Sequence, residues 1–122
     1  MAETYREVAI AWDKESDPRR ANRLHDRIVE LYLELVETAE GRGILVALTQ
    51  GADESVAHTA AWHSLWIEPA VGRATLGTLE HNARNPMIRL SARWTLKEFD
   101  EGHLKDPREW YKRRRRRPLR GS

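Results

Sequence analysis

The chain has 122 residues and no cysteine, which excludes disulfides, thiolate metal sites and thiol nucleophiles and fits a reducing compartment. It has no basic-then-apolar leader and no apolar run near the ~20 residues that cross a bilayer, so the expected location is the cytoplasm. The net charge of +2 conceals two unlike parts. Lys112, Arg113, Arg114, Arg115, Arg116, Arg117 and Arg120 place seven cations at the end, leaving 14 against all 19 acids, or net −5, in residues 1–111. A single domain over 1–111 and a polybasic, disordered tail over 112–122 are expected.

In chain order, Tyr5, Val8 and Trp12 suggest a short first helix. Asp17 and Pro18 suit the N-cap and first turn of a long helix over 17–39, along which Leu24, Ile28, Leu31 and Leu35 form an apolar stripe. Gly41 is expected to end it. No segment alternates with period two and no hairpin turn signal is present, so the reading is all-α.

Sliding the sequence by 31 residues then matches two segments. Leu45 falls on Leu76, Leu48 on Leu79, Ala52 on Ala83, Val56 on Met87, Ala61 on Ala92 and Leu65 on Leu96. Each unit reads as a short Leu-x-x-Leu helix, a turn and a longer helix with small residues at its packed positions. Small residues let stacked helices approach closely, and such a period marks stacked helical hairpins. The expected architecture is a compact HEAT-like stack of about five to seven helices with capping helices at both ends. The 17–39 helix and the one before it would cap the first end. Asp106-Pro107-Arg108-Glu109 reads as a capping box opening a last helix, whose Trp110 and Tyr111 would cover the final repeat.

ESVAHTAAWHSL and NPMIRLSARWTL resemble the second helix of a HEAT-type repeat. Residues 20–102 together resemble a small bacterial family of single-domain HEAT-like proteins of unknown function. That resemblance implies a protein-binding role, and some such bacterial proteins serve as immunity partners of toxins. Two features depart from the pattern: the usual Val-Arg pair is Val56-Ala57, and the polybasic run is foreign to the repeat.

No catalytic constellation stands out. His58 and His63 are five apart and share no helix face, HExxH is missing, and GxSxG and Gly-rich phosphate loops are missing too. The histidines read as surface or boundary residues, with no metal, cofactor or catalytic role expected. Glu30, Glu34 and Glu37 read as the solvated side of an amphipathic helix.

Recognition residues are more legible. His58, Trp62 and Trp66 are spaced four apart, and the 31-residue shift carries them onto Arg89, Arg93 and Lys97. A column of rings beside a column of cations is expected, with Arg stems over Trp62 and Trp66. Trp and Arg are enriched at binding hot spots, so these six residues are the candidate protein-binding surface. The resulting expectation is a non-catalytic module, at its most specific an immunity or antitoxin protein whose acidic body meets a basic toxin domain. The alternative is a nucleic-acid-associated protein that binds phosphates through Lys112 to Arg117.

Overall fold

The structure, a computed structural model, describes residues 1–111. Six helices follow in order: α1 (Ala2–Lys14), α2 (Pro18–Leu35), α3 (Ala39–Leu48), α4 (Glu54–Ser64), α5 (Pro69–Asn82) and α6 (Pro86–Asp100). Residues 107–111 add a short terminal helix, α7, and no strand occurs among the described residues. None of these helices is long and apolar enough to cross a membrane.

Local chemistry sets the helix starts. Asp17, Thr38, Asp53 and Asn85 each accept a backbone N–H of the following turn through the side chain, and Pro18, Pro69 and Pro86 occupy the first turn of their helices. Ser55 also donates its hydroxyl to Asp53, at 2.6 Å, and this bond leads the causes that hold the Asp53 carboxyl below the usual carboxylate range. At the far end, Gly102 adopts φ +77° after α6, and the His103 N–H returns to the Glu98 carbonyl at 2.9 Å.

The long second helix departs from expectation at its end. It stops at Leu35 rather than running to residue 39, and Gly41 lies inside α3. Gly41 is buried because α3 crosses the end of α2 so closely that a Cβ there would collide with the Leu35 backbone. Gly72, 31 residues on, does the same in α5 against Ala61 and Leu65 of α4. The two glycines mark equivalent crossings of successive hairpins.

The hairpin repeat is present with a changed register. The 31-residue shift holds for the shorter helices, where Leu45 and Leu76, and Leu48 and Leu79, are all buried. In the longer helices the N-caps Asp53 and Asn85 are 32 residues apart, and that shift pairs buried Val56 with Ile88 and Ala60 with Ala92. The expected pairs Val56–Met87 and Ala52–Ala83 fail accordingly. Met87 is 65 % exposed, and Ala52 is exposed where Ala83 is buried.

Two cores result. Tyr5, Ala9, Ile28, Tyr32, Leu45 and Val56 belong to the first, between α1, α2, α3 and α4. Ala57, Ala61, Leu65, Leu76, Ile88 and Ala92 belong to the second, between α4, α5 and α6. Helix α4 is central to both, and alanine along it lets neighbours approach from either side. Ala61 and Ala92 are fully buried, so Ala61→Leu or Ala92→Leu is expected to overpack the second core and cost about 1 to 3 kcal/mol. Urea melts of both variants that overlay the parent would show that these contacts are looser than described.

Helix α7 corrects a second expectation. Trp110 and Tyr111 do not cover the final repeat; the chain turns back and they join the first core. Tyr32 donates to Asp106 at 2.9 Å and Tyr111 to Glu30 at 3.2 Å, which fastens the returning segment to α2. The polybasic residues 112–122 lie outside the described residues.

Candidate functional site

Three tryptophans line one cleft. Trp12 comes from the end of α1, Trp62 from α4 and Trp94 from α6, and the last two become equivalent under the 32-residue shift. His58, Ser91 and Thr95 supply its polar atoms, Leu90 and Leu104 its remaining apolar wall, and the volume is about 470 Å³. No acid, lysine or arginine is among the lining residues. Mostly apolar lining with a few polar groups is the usual make-up of a binding cleft.

The rings are held from behind by a stack that runs into the core. Trp62 stacks against His63 (4.5 Å between centroids) and His25 (6.0 Å), and Trp12 lies 5.3 Å from His25. His63 stacks in turn on Tyr32, at 4.5 Å, and its Nδ1 shares a 2.7 Å hydrogen bond with the Tyr5 hydroxyl. His63 is fully buried, contrary to the expected surface or boundary position, and its Nε2 has no hydrogen-bond partner among the described residues. Burial, reinforced by His25 and His58, lowers its pKa to about 3, so it is neutral at pH 7. Burial also lowers the pKa of His58, against the opposing effect of a bond to the Ser91 backbone, and raises that of the Tyr5 hydroxyl. His58 in the cleft and His63 in the stack are therefore uncharged at neutral pH.

The six residues expected to form one surface separate into three groups. His58 and Trp62 line the cleft. Trp66 does not line it; its ring meets Trp62 edge-on at 6.5 Å and Phe99 at 6.1 Å, and it lines a different groove with Arg42, Val71 and Arg108. Arg89, Arg93 and Lys97 do not stack on Trp62 or Trp66. Arg89 donates to the Ala83 carbonyl, Arg93 pairs with Glu80 of α5 at 3.4 Å, and Lys97 lies 5.7 Å over the Trp94 ring.

The corrected register explains these cations. Under the 32-residue shift Arg89, Arg93 and Lys97 occupy the places of Ala57, Ala61 and Leu65, the face of α4 on which α5 packs. Among the described residues no further hairpin packs on α6, and its equivalent face is charged. A polar outer face is what the terminal unit of a stack requires. Like charges at i, i+4 and i+8 cost a few tenths of a kcal/mol per pair, and the three partners just named offset that cost.

Trp12, Leu90, Trp94 and Leu104 were not among the expected recognition residues. Trp94 could have been found by aligning Asp53 with Asn85, which brings Trp62 onto it. Trp12 and Leu104 come from outside the repeat and carry no such signal.

Two other polar clusters lie on α4 and α6. Glu98, Glu101 and His103 gather at the end of α6, where both carboxylates face the one imidazole, 3.5 Å and 3.6 Å from His103 Nδ1. Glu54, in the first turn of α4, accepts the Arg84 and Asn85 N–H groups and so fixes where α6 begins; these bonds hold its carboxyl below the usual range.

No protein-family model, curated protein or solved structure matches the chain.

Proposed function

We propose that the protein is a non-catalytic protein-binding module whose partner docks over the tryptophan cleft and the outward face of α6. Exposure carries this reading. Met87, Leu90 and Trp94 are 65 %, 56 % and 59 % exposed and lie at i, i+3 and i+7 on one helix, continuous with the cleft. A clustered apolar face of this kind marks a partner site more often than an isolated surface residue does, and tryptophan is the residue type most concentrated in binding hot spots. The neighbouring histidines favour binding over proton transfer, because burial keeps His58 and His63 neutral and His63 has no solvent-exposed atom.

The finer reading is an immunity or antitoxin protein. It is supported by the excess of acids in residues 1–111, where Glu34, Glu37 and Glu40 are exposed about the end of α2 and the start of α3. A basic toxin domain would find complementary charge there.

A photo-crosslinking amino acid at position 90, incorporated in the native host, tests both levels. The expected result is one discrete protein adduct that disappears in a Trp94→Ala background. The finer reading further expects the captured protein to arrest growth when produced without this chain. Once that partner is purified, Trp94→Ala should weaken its binding by at least about 2 kcal/mol, with circular dichroism unchanged because Trp94 is already more than half exposed. Adducts with nucleic acid alone would move the function to Lys112–Arg117 and overturn the proposal.

A further inference from the structure

We infer that the cleft and the α6 face together receive an amphipathic helix of the partner, which seats an uncharged aromatic side chain among Trp12, Trp62 and Trp94 and turns a carboxylate-bearing edge toward Arg93 and Lys97. This rests on the protein-binding reading above and specifies the chemistry of the partner.

Length argues for a helix over a small molecule. Met87 to Trp94 spans about 10 Å along α6 at 1.5 Å per residue, and Met87 lies outside the cleft lining. A ligand confined to about 470 Å³ beside Trp62 would leave Met87 in water. A helix with apolar residues at i, i+3 and i+7 covers both.

Charge selects the anchor. Electron-rich indoles also suit a quaternary ammonium group, but such a site gains most from a nearby acid, and no acid lines this one. Lys97 already lies over the Trp94 ring, 5.7 Å from its centroid. A cationic anchor would meet that ammonium at close range, whereas an uncharged ring meets only neutral walls.

The same charges orient the occupant. Arg93, with its side chain 71 % exposed despite its bond to Glu80, and Lys97 follow one edge of the Met87–Leu90–Trp94 stripe. Carboxylates on the matching edge of the partner helix would fix its direction and exclude helices with a basic edge. A second copy of this chain is disfavoured, because a two-fold pairing through α6 would add the cations of one copy to those of the other. A partner that is basic overall would still have to present acids at this edge.

The test is selection of a phage-displayed library of helical peptides against the full chain, counter-selected on Trp94→Ala to remove peptides held by the basic tail. Recovered peptides are expected to carry an aromatic residue with Asp or Glu three or four positions away. They should bind Arg93→Glu/Lys97→Glu at least tenfold more weakly than the parent, with both variants folded by circular dichroism. Peptides that require Trp94 but lack acids, or that are basic, would sink this inference while leaving the protein-binding reading intact. Recovery of nothing that requires Trp94 would sink both, as would a stable dimer of the full chain that dissociates on Trp94→Ala.

Discussion

Gly41→Ala is expected to destabilise the protein by about 3 kcal/mol, the upper end of the usual cost of overpacking. Helix propensity alone predicts the opposite sign, because alanine is favoured over glycine by about 1 kcal/mol inside a helix. Close approach decides the outcome. The added methyl would point into the Leu35 backbone, which cannot turn aside as a flexible side chain can, so α3 must lift away from α2. Gly72→Ala should cost less, about 1 to 3 kcal/mol, since its Cβ would lie 2.8 Å from the Ala61 carbonyl oxygen and 3.0 Å from the Leu65 nitrogen. Gly77→Ala is the control. Nothing lies within 4 Å of its Cβ position, so it should stabilise by about 0.5 to 1 kcal/mol. Urea unfolding of the three variants would reveal the order, and equal midpoints would mean that the hairpins cross less closely than described.

Acidification should weaken the fold from about pH 6.5 downward. An unfolded histidine takes up a proton near pH 6.5, whereas folded His63 resists until about pH 3. Between these values the unfolded state binds more protons, so this contribution is complete above pH 6.5 and falls by about 1.4 kcal/mol per unit as the pH drops. From pH 7.5 to 4.5 the loss amounts to about 2.7 kcal/mol. The lowered pKa of His58 acts in the same direction. His63→Gln should be less stable than the parent at pH 7.5, because it breaks the Tyr5 bond and the ring stack, yet it should lose markedly less on acidification. A flat stability profile for the parent between pH 7 and 5, measured by urea titration, would show that the imidazole reaches solvent.

What could be read beforehand divides along the range of the interactions. Helix starts are local events, and Asp17-Pro18 announced its own correctly; Asn85-Pro86 carries the same signal at the start of α6. Gly41 was ambiguous because glycine serves both as a helix terminator and as a point of close approach. Only the position of Leu35 resolves that, and α2 therefore looked too long. The repeat was visible in Leu45, Leu48, Leu76 and Leu79. Its continuation slipped by one residue because six residues lead from Leu79 to the N-cap Asn85, against five from Leu48 to the N-cap Asp53. That slip set the cations beside the wrong rings and hid the equivalence of Trp62 and Trp94. Long-range partners left no trace at all: His63 is buried by Tyr5, 58 residues away, and Asp106 is tied to Tyr32 across 74. Amphipathic spacing shows that a helix has an inner face without showing which end of the molecule will cover it.

The charged end of α6 also bears on how this architecture behaves as a building block. A hairpin stack is open-ended by construction, since each unit presents to the next the surface that the previous one presented to it. Were positions 89, 93 and 97 alanine, alanine and leucine, as at their counterparts in α4, α6 would offer a sticky edge with nothing to close it. Copies could then add head to tail without limit, the kind of non-closing contact from which fibres grow. Arg89, Arg93 and Lys97 deny a further unit that apolar edge by side-chain choice alone, with the backbone of α6 left ready to receive one.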